Sequence, residues 1–185
     1  MTLNRRSCLL LALATAGGWR SAAAQASLPA PPPELGTELP GARWRGAGTL
    51  RFMGLYVYDA QLWSPEAVGG DFSAQPLALT LVYARRLVGE QIAARSIKEM
   101  NRIGPISDAQ AARWQQALIP LFPDVGPGDR LTGVHLPGRS ARFHFNGQFR
   151  GEVADAEFAR LFFGIWLSPR TSEPRLREQL LGARG

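Results

Sequence analysis

The chain has 185 residues, of which 45% are hydrophobic and 19% are charged, and it contains a single cysteine. This composition fits one ordinary globular domain and excludes collagen, a disulfide-rich scaffold and a fully disordered chain. Its 20 glycines and 14 prolines predict many turns, which favours a sheet-rich fold. A net charge of +6 leaves an anionic partner such as nucleic acid open at this point.

The first 26 residues have the pattern of a secretory signal peptide. Arg5 and Arg6 precede an apolar segment at residues 8–16, and small residues leading to Ala26 form a cleavage signature. The apolar segment is shorter than the roughly 20 residues that span a bilayer, and no later segment reaches that length. We therefore expect a periplasmic or secreted mature chain without a stable membrane span, exported by the general secretory or the twin-arginine route.

Without residues 1–26, the net charge of the chain falls from +6 to +3. Residues 1–26 hold three arginines and no acidic residue, which leaves 18 basic and 15 acidic side chains and no cysteine in residues 27–185. Dispersed arginines with a small net charge, in an exported chain, do not favour nucleic acid as a partner. Without a cysteine, the mature chain has no thiol chemistry.

The remaining chain divides into a proline-rich leader, residues 27–42, and a domain, residues 43–185. We expect the leader to be extended over the surface or mobile. Alternating apolar residues predict strands at 44–63 (two strands with a turn at Met53-Gly54), 76–86, 130–136, 140–145 and 148–153, with a hairpin turn at Asn146-Gly147. Helical periodicity and caps predict helices at 88–103, after Ser107, after Asp155, and from a Ser172 cap to Gly182.

The first hairpin contains the residues most suited to binding an anion. If Met53 and Gly54 are the turn residues, Arg51, Tyr56 and Tyr58 share one face of the hairpin, opposite an apolar face. A fixed cation beside phenolic donors would bind a carboxylate or enolate oxygen. Three alternatives remain open. Arg51 is a solvated residue stacked on Tyr56, a strand that runs straight through Gly54 puts Arg51 and Tyr58 on opposite faces, or a longer hairpin puts Arg45 in place of Arg51.

No metal or cofactor site is expected. The two histidines, His135 and His144, are nine residues apart on separate strands, without a neighbouring cysteine. The glycine patterns of a P-loop, a Rossmann fold and a nucleophile elbow are also missing.

Several segments together resemble the bacterial chalcone isomerase-like domain: GAGTLRFMGLYVYDAQLW, LVYARRLVGEQIAARSIKEM, FHFNGQFRGEVADAEF and FFGIWLSPRTSEPRLREQLLG. They occur in the family's order and cover residues 43–182. The resemblance implies an α+β fold, an open-faced β-sandwich in which an antiparallel sheet packs against a layer of helices, with a ligand cleft between them.

The resemblance also implies roles for individual residues. Arg51 resembles the arginine that positions the substrate in the family's enzymes, Tyr58 falls where those enzymes have a threonine, and Thr171 resembles a late threonine. Val88 and Arg95 fall where the enzymes have a catalytic tyrosine and asparagine. Because valine can neither donate nor accept a hydrogen bond, this departure speaks against catalysis. Arg95 is expected on the polar side of its helix.

We therefore expect an exported binding protein for a small amphipathic acidic ligand such as a fatty acid, held in the cleft without catalysis. Arg51, Tyr58, Tyr56 and Thr171 are the candidate ligand-binding residues. The alternative is an isomerase of the intramolecular lyase type, similar to chalcone isomerase, that acts on an unknown substrate. The sequence leaves the oligomeric state open.

Overall fold

The computed structural model describes residues 29–182, so the expected signal peptide at residues 1–26 lies outside the described residues. Its centre is a six-stranded antiparallel sheet in which the strands follow the order of the sequence. The strands are β1 (Arg43–Phe52), β2 (Leu55–Ser64), β3 (Leu77–Tyr83), β4 (Arg130–Leu136), β5 (Ser140–Phe145) and β6 (Gln148–Val153). The α+β fold with an open antiparallel sheet is thus confirmed.

Two of the hairpins turn through residues with positive φ. Met53 and Gly54 have φ of 50° and 80°, and Asn146 and Gly147 have φ of 50° and 86°. Positive φ at both central residues is typical of type I′ turns, whose twist matches that of the flanking strands. Both turns lie where the sequence predicts them.

The helices are α1 (Leu35–Glu38), α2 (Gly89–Ile103), α3 (Asp108–Leu118), α4 (Ala156–Leu167) and α5 (Pro174–Leu180). Ser107 forms the predicted capping box with Gln110, and Asp155 accepts hydrogen bonds from the first turn of α4. The predicted Ser172 cap of α5 is wrong: Glu173 occupies that position, and Ser172 instead donates to Glu99. No helix within residues 29–182 is long and apolar enough to cross a membrane.

The helices cover one face of the sheet, which we call the inner face. Helix α4 packs on β4 and β5, α5 packs on β1 and β2, and α2 packs on α4. The aromatic rings of α4 supply much of the core, since Phe158 and Phe162 stack at 5.6 Å and both contact Phe143 of β5 edge-to-face. The apolar stripe of α4 therefore fixes the helical layer against the sheet.

The proline-rich leader forms part of the fold on the opposite, outer face. The sequence predicts an extended segment, but residues 35–38 form the short helix α1, whose Leu35 packs with Trp63, Ala78 and Val134 of the sheet. Glu34 is buried and binds Arg130 at 3.1 Å and Thr132 at 2.7 Å. The difference arises because residues 34 and 35 find partners on strands that follow much later in the chain.

This packing predicts that the leader contributes to stability. Leu35 is 1% exposed, so Leu35→Ala should lower the free energy of unfolding by about 2–5 kcal/mol. Thr37→Ala, at an exposed position of the same helix, should change it by less than about 0.5 kcal/mol. Urea unfolding followed by circular dichroism measures both, and equal effects of the two substitutions would contradict the packing of the leader on the sheet.

Candidate functional site

The pairing of β1 with β2 contains a β-bulge that determines where the hairpin side chains point. Arg51 pairs with Tyr56 as predicted, but Leu50 pairs with Tyr58 instead of Val57, so Val57 is an extra residue in β2. A bulge places two residues of one strand opposite one residue of the other and shifts the alternation of faces beyond it. Tyr58 is thereby on the inner face of the sheet.

Arg51 and Tyr56 are on the outer face. The Arg51 guanidinium lies 5.4 Å from the centre of the Tyr56 ring. The Tyr56 hydroxyl donates to Asp59, which raises the pKa of Tyr56, and Thr49 donates to the same carboxylate at 2.6 Å. The prediction that Arg51, Tyr56 and Tyr58 share one face is wrong, because the spacing of the strand residues does not reveal the bulge. The structure shows the alternative in which Arg51 stacks on Tyr56.

Between the inner face and the helices lies a cavity of about 360 Å³. Its walls are mostly apolar, and aromatic and aliphatic side chains of β3, β4, β5, α2 and α4 line it: Leu79, Leu81, Tyr83, Leu131, Phe143, Ile92, Phe162, Ile165 and Trp166. Small-molecule sites in proteins have volumes of roughly 300–1,000 Å³ and are lined in this way. The cavity can therefore enclose a small apolar molecule or the apolar part of a larger one.

Tyr58 contributes a phenolic hydroxyl to this cavity. The indole nitrogen of Trp166 donates to the Tyr58 hydroxyl oxygen at 2.9 Å, and the Tyr83 ring contacts Tyr58 edge-to-face at 5.9 Å. Burial raises the pKa of both tyrosines far above the ordinary value. Within the described part of the chain, Tyr58 has no acceptor for its own proton, so this O–H is free to donate to a bound molecule.

Arg95 supplies a cation at the same cavity. Its guanidinium lies 2.7 Å from Glu99 and 5.5 Å from the centre of the Phe52 ring. The Arg95 side chain is 53% exposed, so it lies on the polar side of α2 as expected, but at the edge of the cavity, which it also lines. Four residues of α2 line the cavity: Ile92, Arg95, Ser96 and Glu99. Their i, i+3, i+4, i+7 spacing places them on one side of the helix, and this spacing is visible in the sequence.

Glu99 is a buried carboxylate that several donors satisfy. In addition to Arg95, Arg102 approaches it at 3.4 Å and the Ser172 hydroxyl donates to it at 2.9 Å. Such donors compensate a buried carboxylate for its lost hydration. The Arg95 guanidinium has five N–H donors, and Glu99 is its one ion-pair partner within residues 29–182, so N–H groups of Arg95 are left for another acceptor.

The remaining predicted residues have structural contacts outside the cavity. Thr171 is buried, donates to the Ile165 carbonyl at 2.6 Å and accepts from the Glu173 backbone, which closes the loop after α4. Arg45 donates to the Ser64 and Pro65 carbonyls. Val88 caps α2 and is not among the cavity residues. Neither of the two arginines considered from the sequence, Arg51 and Arg45, therefore faces the cavity.

The two histidines are buried at separate places. His135 contacts the Gln75 carbonyl at 3.0 Å, and burial lowers its pKa. His144 lies 3.3 Å from Glu38 of the leader, and burial likewise lowers its pKa. Across residues 29–182, no group of three or more histidine, cysteine or acidic side chains could hold a metal ion.

Comparisons with known proteins give a similar fold, a bacterial relative and a family. A fatty-acid binding protein of Arabidopsis thaliana has a similar crystal structure, with a TM-score of 0.63 and 14% identity over 77% of this chain and 87% of that chain. An uncharacterized protein of Haemophilus influenzae is 30% identical over 145 residues, which are 77% of this chain and 70% of that protein. The family model described as chalcone isomerase-like matches residues 41–182. The chain therefore belongs to the chalcone isomerase-like family.

Proposed function

We propose that the protein binds a fatty acid or a similar small amphipathic acid, with the hydrocarbon chain in the cavity between the sheet and the helices. The observation that carries this proposal is the apolar wall of the cavity, which side chains from five strands and two helices form together. Each buried methylene group would contribute about 0.8 kcal/mol. A hydrocarbon chain therefore gains affinity with length until the cavity is full.

The acidic group of the ligand would bind at Arg95 and Tyr58. Arg95 offers guanidinium donors that Glu99 does not use, and Tyr58 offers its free O–H. A charge-assisted hydrogen bond contributes about 1.5–3 kcal/mol. This assignment keeps the cation and phenol that the sequence suggests, but replaces Arg51 with Arg95 because Arg51 is on the outer face.

The charges along the cavity are compatible with an anionic group. Three arginines, Arg85, Arg86 and Arg95, and two acidic residues, Glu99 and Glu173, line it. Arg102 also approaches Glu99, so this carboxylate has two guanidinium partners. The fatty-acid binding named for the similar Arabidopsis protein supports this class of ligand, since the two chains share the fold.

This assignment predicts which substitutions weaken binding of palmitate. Arg95→Gln and Tyr58→Phe should each raise the Kd for palmitate about tenfold or more, because each removes one donor to the carboxylate. Isothermal titration calorimetry measures these constants, and 1-hexadecanol serves as an uncharged ligand whose affinity Arg95→Gln should change far less.

Arg51→Gln is the matched control, since it removes an arginine from the outer face of the same hairpin. Its Kd for palmitate should equal that of the unsubstituted chain. Weaker binding in Arg51→Gln with unchanged binding in Arg95→Gln would contradict the assignment. Absence of palmitate binding in every form of the chain would contradict the proposed function itself.

The raised tyrosine pKa values predict a dependence of stability on alkaline pH. Burial raises the folded-state pKa of Tyr58 and Tyr83, whereas both ionise near pH 10 when the chain is unfolded. Their contribution to stability is therefore complete below about pH 10 and decreases as the pH rises further. Absorbance at 295 nm should show these two tyrosines ionising only together with unfolding, and their ionisation near pH 10 in the folded chain would contradict their burial.

A further inference from the structure

The tip of the first hairpin is exposed and apolar. Phe52, Met53 and Leu55 are 50%, 87% and 53% exposed, and Tyr56 next to them is 40% exposed. Within residues 29–182, these four are the majority of the large hydrophobic side chains that are exposed. Single exposed apolar residues are common, but four in five consecutive positions at one turn form a patch that points to a partner.

The turn residue Met53 is not explained by the fold. The turn at residues 146–147 has the same positive φ angles as the turn at residues 53–54, and it uses asparagine at the first position. Asparagine tolerates this backbone region and methionine does not favour it. At position 53, the chain thus has an exposed apolar side chain in a backbone conformation that asparagine would adopt more readily.

The tip is also next to the entrance of the cavity. Phe52 and Leu55 are half exposed, and both line the cavity. Arg85 and Arg86, which follow β3, line the same cavity and reach solvent. Whatever the tip contacts therefore also faces the opening through which a ligand would enter.

Three arginines near the tip are unpaired. Across residues 29–182, Arg51 next to Phe52, and Arg85 and Arg86 at the cavity, have no carboxylate within ion-pair distance. Asp59 on the outer face is bound by the Tyr56 and Thr49 hydroxyls. Exposed apolar side chains with unpaired arginines on the same strand and at the same cavity match a bilayer surface that contains anionic lipids, since the apolar groups enter the interface and the arginines remain at the headgroups.

We propose that residues 52–55 dock the protein on an anionic lipid bilayer with the cavity entrance facing the membrane. A second copy of the chain would be a poorer partner, because a two-residue turn is convex and too small for the roughly 800 Å² that each side of a stable interface buries. The bilayer would be the source or the acceptor of the amphipathic ligand proposed above. The docking itself does not depend on that ligand.

Flotation of the full chain with vesicles tests the docking. Vesicles of phosphatidylethanolamine and phosphatidylglycerol in a 70:30 ratio should carry the chain upward, and Met53→Asn should reduce the bound fraction at least tenfold. Met53→Leu should retain binding. Phe149→Asn, which removes another half-exposed aromatic ring from β6, is the matched control and should bind as the unsubstituted chain does. Equal flotation of Met53→Asn and the unsubstituted chain, together with an unshifted emission of the tip probe described next, would overturn the proposal.

A fluorescent probe at the tip tests the docking independently of the first 28 residues, because its emission depends only on the surroundings of residue 53. Met53→Cys in a Cys8→Ser background is labelled with an environment-sensitive fluorophore. Its emission should shift to the blue on the anionic vesicles, less so in 0.5 M salt, and not on pure phosphatidylcholine. An emission that stays at the position found in water on the anionic vesicles would overturn the docking.

Met53→Asn also separates docking from folding and from ligand binding. Asparagine favours the turn, so the thermal midpoint should be unchanged or higher, and loss of flotation would then not reflect unfolding. Met53 is not among the cavity residues, so the Kd for palmitate in solution should be unchanged. Palmitate binding without flotation would overturn the docking alone, and flotation without palmitate binding would overturn the proposed function alone.

Discussion

The extra residue Val57 in β2 is the feature on which the candidate site depends. Without this bulge, strict alternation would place Tyr58 beside Arg51 on the outer face and remove its hydroxyl from the cavity. With it, Tyr58 contacts Trp166 of α4, and Arg51 is left to stack on Tyr56. Because of this one extra residue, Arg51 and Tyr58 are on opposite faces of the sheet. The cation at the cavity is Arg95 of α2.

The two faces of the sheet differ because the leader covers the outer face and the helices cover the inner face. On the outer face, the leader closes the surface with Leu35 and with the ion pair between Glu34 and Arg130. On the inner face, the helices leave a cavity whose walls are mostly apolar and whose charged groups come from α2, from the segment after β3 and from Glu173 before α5. The ligand and the membrane contact that we propose are both next to this cavity, on the same side of the sheet as α2.

Local signals in the sequence predict most of the elements. The turn at Asn146-Gly147, the Ser107 capping box and the apolar stripe of α4 depend on residues within a few positions of each other, and the structure contains all three. The bulge depends on how two strands pair, and α1 depends on contacts with strands that are far away in the sequence. The position of Arg95 also depends on distant contacts. The helical periodicity of α2 predicts a polar position, but the cavity beside Arg95 exists only once α2 and the sheet are packed together.

The most direct test of this account is nuclear magnetic resonance of the chain loaded with ¹³C-labelled palmitate. The account predicts intermolecular nuclear Overhauser effects from the acyl chain to residues on the inner face, such as Leu81 and Phe143, and from the first methylenes to the Tyr58 ring. It predicts none to Tyr56 on the outer face. Effects to Tyr56 without effects to Tyr58 and Leu81 would contradict it.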